Sequence, residues 1–181
     1  MQIFLPSENL EENAKILDSL RLNKQVLESY QIWLACKENS SSKWKSHPAI
    51  KMWRPYIGAL EAYHDFCLEE LRNRPTKSGK PRKLVSLAYQ ELSNGEKFQM
   101  PCFMGIEKLH SLHRANLIRK SKETKNIEIK LWYSKFSWTE EPANGYLWWS
   151  PEGFILIKNE EYVTRKGTIR LRSLKFPLNF D

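Results

Sequence analysis

Cysteine is scarce in this chain: three residues in 181, Cys36, Cys67 and Cys102, with no CxxC spacing. An odd number without paired spacing argues against a disulfide framework and against a cysteine-based zinc site. The thiols are expected to be reduced and buried, in an intracellular, cytoplasmic protein. No run of 18 apolar residues occurs, so no membrane-spanning helix is expected. The start, MQIFLPSENLEEN, has only a short apolar patch and no basic region before it, unlike a secretory signal peptide. Neither GxxxxGK[ST] nor GxGxxG is present, which removes the usual phosphate-cradling loops of nucleotide cofactors. HExxH and GxSxG are missing as well, so neither a zinc-protease helix nor a nucleophile elbow is on offer.

What is present describes a folded, basic protein. The composition is 41% apolar and 12% aromatic, with seven tryptophans, enough for a real core in a single domain. The formal net charge is +8 and the pI near 9.4. Charge is uneven: Arg72, Arg74, Lys77, Lys80, Arg82 and Lys83 follow one another with no acid between them. A surface of this kind favours a polyanion, most often nucleic acid, against the plainer alternative of a solvated basic face.

Periodicity and capping signals place the elements. Asn9, with Glu12 three residues on, caps a first helix, and Asp18 caps a second running to about Cys36. Ser46 is placed to cap a third, with Pro48 in its first turn and a break at Pro55 before the run ends near Arg72. PRKLVSLAYQELSNG reads as a shorter helix, and a further helix spans Gly105 to about Lys120. NIEIKLWYSKFSW fits both helix and strand periods. GFILIKNEEYV and GTIRLRSLKF are strand-like around a polar turn near Arg165–Gly167, so a terminal β-hairpin is expected after Pro151. The expected architecture is mainly α: a compact single-domain helical bundle over residues 1–150 with a small C-terminal β-hairpin extension over 151–181.

Two polar clusters stand out on these helices. Arg21, Lys24, Gln25 and Glu28 share one face of the second helix, and Ile32 and Ala35 continue it, as on the wall of a cleft. A solvated salt-bridge face is the alternative. His110, His113 and Arg114 share a face of the later helix, near Ser111 and Lys120. Two imidazoles and a guanidinium suit a phosphate. A metal site is the weaker reading because further ligands are lacking, and histidines hydrogen-bonded in a helix interface are the plainest. His47, in KWKSHP, and His64, in EAYHDF, complete the histidines. The tryptophans, Trp44 and Trp53 among them, can stack on bases, though aromatics at helical spacing are more often core.

The start MQIFLPSENLEENAKILDSLRLNKQVLES resembles the pattern MxxFLP…A..LD..RL.KQ..E of the endonuclease V-like pyrimidine-dimer DNA glycosylase family. WKSHPAIKMWRPYIGALEAYHDF, MPCFMG, LHSLHRANLIRK and YSKFSW…GYLWWSP resemble later landmarks in the same order, over roughly residues 1–150. The resemblance implies a mostly helical DNA glycosylase with apurinic lyase action, acting as a monomer on double-stranded DNA without membrane, metal or cofactor. It implies an α-amine nucleophile at Met1 and a glutamate near an arginine. Residue 2 is Gln, behind which the initiator Met is expected to stay, and Leu22 stands where the family has glutamate directly after the arginine. The catalytic set carried over is therefore Met1, Arg21, Lys24 and Glu28. Lys24 is a second possible amine if desolvated beside Arg21. Gln25, His47, His110, His113, Arg114 and Lys120 are the expected DNA contacts. The alternative is a non-catalytic nucleic-acid-binding protein on the same fold.

Overall fold

The computed structural model describes residues 2–37, 44–76, 79, 89–93, 95–143, 145–150, 153–158, 161–163 and 169–171. The fold is mainly helical, as the sequence pattern predicts, and divides into two compact units, residues 1–106 and 107–181.

In the first unit, α1 (Leu10–Ile16) begins where Asn9 accepts from the Glu12 amide at 3.0 Å. Asp18 caps α2 (Ser19–Cys36), its Oδ1 accepting from the amides of Leu20 and Arg21 at 3.0 and 3.1 Å. Each cap satisfies amides that have no partner within the helix, a contribution of about 1 kcal/mol. The third cap differs from the expected one. His47, not Ser46, caps α3 (Pro48–Trp53), its Nδ1 accepting from the Ala49 amide at 3.1 Å. Pro48 sits in the first turn, where its missing N–H costs nothing. Pro55 breaks the run as expected: a 3-10 turn, Arg54–Tyr56, separates α3 from α4 (Ile57–Asn73).

Helix α4 is the centre of this unit and packs against both α1 and α2. Leu22, Val26 and Ile32 of α2, and Leu60, Tyr63, Cys67, Leu68 and Leu71 of α4, are fully buried. Gly58 opens the first turn of α4 to a close neighbour, since a Cβ there would lie 2.9 Å from that of Phe98. Residues 3–5 (Ile3, Phe4, Leu5) are buried in the same core, so the N-terminal segment is an integral part of the unit. Arg74, counted among the basic run, is buried: it donates to the carbonyls of Ala14, Lys15 and Leu17 and to Glu70. It closes the C-terminal end of α1 rather than facing a polyanion. Most of the helix expected over residues 81–95, and the cations Lys77, Lys80, Arg82 and Lys83, lie outside the described residues.

The second unit is built on α5 (Glu107–Glu123), against which α6 (Ile127–Tyr133) and the first strand pack. The ambiguous segment is thus helical, with Asn126 capping it. The strands begin earlier than the sequence pattern places them. β1 (Gly145–Ser150) pairs antiparallel with β2 (Gly153–Lys158), and β3 (Glu161–Val163) pairs antiparallel with β4 (Ile169–Leu171). Leu147 and Trp148 of β1 are buried, which is why GYLWWS, a short aromatic run, holds as a strand. No helix among the described residues is long and apolar enough to cross a membrane.

Candidate active site

Gln25 organises the polar stripe of α2. Its side chain is 1% exposed, and its amide has every hydrogen-bonding position filled. Nε2 donates to the Gln2 carbonyl at 2.7 Å and to Glu28 Oε2 at 3.2 Å. Oε1 accepts from the Phe4 amide at 2.9 Å and from the Tyr63 hydroxyl at 2.8 Å. The carbonyl of residue 2 and the amide of residue 4 point the same way from an extended segment, so one side-chain amide takes the place of a neighbouring strand. Asn13 repeats the device further along, bridging the amide and carbonyl of Ser7 at 2.7 and 2.9 Å. Gln25 therefore belongs to the interior, and the DNA contact expected of it is not what its position provides.

This clamp brings the chain's start onto a carboxylate. Glu28 is 9% exposed, and its Oε2 accepts from the Gln2 amide at 3.1 Å, one residue from the amino terminus. Its Oε1 lies 3.5 Å from Lys24 Nζ. Lys24 is 71% exposed, so it is not the desolvated amine beside Arg21 that the sequence allowed. Arg21 pairs with Asp18 at 2.5 Å, tying the guanidinium to the cap of its own helix. Leu22 is fully buried, so the position after the arginine points into the core. A glutamate there would be a buried charge, and Glu28 is the acid that this helix face can offer. Met1 lies outside the described residues.

His47 begins α3, which packs against the helix of Glu28. Burial pushes the imidazole below its ordinary pKa, and the nearby carboxylate pulls the other way. Its Nδ1 must stay unprotonated to accept from Ala49, so a neutral ring suits the cap. His64 is fully buried between Ser29 Oγ, 2.9 Å from Nδ1, and the Gln90 carbonyl, 3.1 Å from Nε2. Nε2 donates to the Gln90 carbonyl, Ser29 Oγ also donates to the Gln25 carbonyl at 2.6 Å, and burial lowers the ring's pKa. It is a packed histidine. A recess on the outer face of α4, lined by Asp65, Glu69, Arg72, Glu91 and Glu96 with Phe66 and Phe98, is predominantly acidic and repels a polyanion.

The cluster on α5 differs from its expected form. His110 and His113 are both buried, and burial with His110 alongside pushes His113 down to about 3, so it carries no charge near neutrality. Arg114 is held by two carboxylates, Glu107 and Glu140. The cation trio expected to hold a phosphate is thus one neutral ring, one buried ring and one neutralised guanidinium. Lys120 is half-buried in the last turn of the helix. Asn116 and Arg119, unnoticed in the sequence, bind the carbonyls of Gly145 and Ala143 and so fasten the approach to β1 onto α5. Among the described residues no group of three or more His, Cys, Asp or Glu is arranged to hold a metal ion. Cys36 and Cys67 are buried, their thiols pushed up to about 11 and about 12 by burial, whereas Cys102 is exposed, against expectation.

No curated protein and no solved structure matches the chain. One family does. MPCFMG, LHSLHRANLIRK and YSKFSW lie beyond its match, which falls wholly within the first unit and includes α1 to α4. Residues 1–83, the stretch that contains Gln25, Glu28 and the N-terminal segment clamped on them, match the pyrimidine dimer DNA glycosylase family, and the resemblance read from the sequence stands at that level.

Proposed function

We propose that this protein is a DNA glycosylase with apurinic lyase action on a pyrimidine lesion in duplex DNA, and that Glu28 is its carboxylate. The observation that carries this reading is the hydrogen bond from the Gln2 amide to Glu28 Oε2, which keeps the start of the chain beside a buried acid. An α-amine has a pKa near 8 against about 10.4 for lysine, so far more of it is free base at neutral pH.

In this reading the Met1 amine attacks C1′ of the damaged nucleotide. The N–C1′ bond forms as the bond from C1′ to the base breaks, and the base leaves with the proton that the amine gives up. Opening of the C1′–O4′ bond, with O4′ taking a proton from water, yields a protonated imine. Glu28 stabilises the positive charge that develops at C1′, then accepts a C2′ proton while the C3′–O bond breaks and the phosphate leaves with its electron pair. Water hydrolyses the imine and returns the amine. Lys24, mostly exposed and paired with the Glu28 carboxylate, is given no nucleophilic role in this reading.

Borohydride trapping tests this on duplexes containing one abasic site or one pyrimidine dimer. A covalent adduct that disappears when the amino terminus is blocked, and persists in Lys24→Ala, supports the α-amine mechanism. An adduct lost only in Lys24→Ala would move the nucleophile onto α2. Bound DNA with no adduct on either duplex would leave a binding module on the glycosylase fold.

A further inference from the structure

Among the described residues, the exposed large apolar side chains are aliphatic or methionine with one exception, Trp44, which is 60% exposed. A tryptophan held in water has a cost in hydration, yet this one sits on an ordered turn. The His47 amide donates to the Trp44 carbonyl at 2.8 Å, and Arg54 Nη2 donates to the Lys45 carbonyl at 3.4 Å. The indole meets His47 edge-on, with ring centroids 5.8 Å apart. His47 caps α3, and α3 packs against α2, the helix that carries Glu28. The turn is also purely cationic in sequence: from Asn39 to Leu60 there is no acid, and Lys45, Lys51 and Arg54 are exposed. An exposed aromatic face on a hydrogen-bonded turn, with exposed cations close by in sequence, is a combination suited to a nucleobase with its phosphates.

We propose that Trp44 is a base-stacking subsite: its indole covers an unstacked base at the lesion, while Lys45, Lys51 and Arg54 hold the neighbouring phosphates. This rests on the glycosylase reading and adds to it a means of recognising damage. Intact duplex has every base stacked and offers Trp44 nothing, whereas a lesion that weakens stacking releases a base face at low cost.

The test is binding of labelled duplexes, one intact and one with a tetrahydrofuran abasic analogue, which cannot react. The parent protein is expected to prefer the abasic duplex. Trp44→Ala should weaken that complex by about tenfold and leave the intact duplex nearly unaffected. Trp44→Phe, which keeps a stacking face, should retain most of the affinity, which separates stacking from misfolding. The slope of log affinity against log salt should stay unchanged in Trp44→Ala and fall by about one in Arg54→Ala. Equal losses on both duplexes, no loss on either, or a parent without preference would overturn the subsite while leaving the glycosylase reading intact. A parent that binds neither duplex would overturn both.

Discussion

Helices α2 and α5 look alike in sequence, each with a polar face carrying titratable and hydrogen-bonding groups, yet those groups do different things. On α2, Gln25 secures a backbone segment and Glu28 is left beside the chain's start, with an exposed lysine as its ion-pair partner. On α5, Arg114 is neutralised by Glu107 and Glu140, His113 is buried and uncharged, and Asn116 ties down the carbonyl of Gly145. One face keeps a carboxylate against the backbone of the N-terminal segment. The other uses its charges and amides internally. The lesson is that residue type and spacing identify a polar face, whereas the partners supplied by other segments decide whether it is chemistry or scaffold.

Substitutions can break or sharpen this contrast. The largest effect is expected from Glu28→Gln, which keeps an acceptor for the Gln2 amide but removes the base. Strand cleavage at an abasic site should fall by about a hundredfold or more while the duplex still binds. An unchanged rate would remove Glu28 from the mechanism. Gln25→Ala leaves the Phe4 amide and the Gln2 carbonyl without partners in the interior, a loss of roughly 3 kcal/mol measurable by urea unfolding. Cleavage should drop further than the folded fraction does.

Arg114→Ala should cost about 2 kcal/mol because Glu140 is then left largely buried and unpaired, and adding Glu140→Gln should recover most of it. The salt dependence of DNA binding should not change. A flatter slope would return Arg114 to the phosphate contacts.

The pH dependence of stability provides a smaller, graded effect. His113 is held at about 3, below its ordinary 6.5, so the folded chain refuses a proton that the unfolded chain accepts. Its contribution is complete above about pH 6.5 and is lost as pH falls towards 3, with a slope of at most about 1.4 kcal/mol per pH unit. Buried His64, also shifted down, acts in the same direction. The difference between His113→Leu and the parent should isolate the His113 part in unfolding curves from pH 7 to 4. Lys24→Ala should do least, changing stability by no more than about 0.5 kcal/mol, as expected of an exposed ion pair, and retaining the trapped adduct.

Much of the fold could be read from local signals. Asn9 and Asp18 cap helices because a short polar side chain reaches the amides just ahead of it, a matter of two or three residues. Pro55 breaks its run because, in a helix interior, proline lacks the N–H and its ring clashes with the preceding turn. Where signals compete, the outcome lay elsewhere: His47 took the cap from Ser46, NIEIKLWYSKFSW, which fits both periods, forms a helix over Ile127–Tyr133, and the strands begin at Gly145, ahead of the hairpin expected after Pro151. In the candidate site, the sequence singled out Glu28 by its helix face. It could not tell that Gln25 points inward to residues 2 and 4, because those partners are more than twenty positions away.

The sequence by itself determined the helical character, the caps at Asn9 and Asp18, the break at Pro55, the basic charge and the resemblance over the N-terminal part. Each depends on neighbours along the chain or on composition, which folding leaves unchanged. Only the tertiary structure decided which polar groups remain available. Arg74 and Arg114 count as cations in sequence, but distant carbonyls and carboxylates occupy them. Glu28 is one acid among many until the Gln2 amide arrives beside it. Burial and hydrogen bonding act through space, and it is contacts between remote segments that fix a side chain's charge, partners and reach.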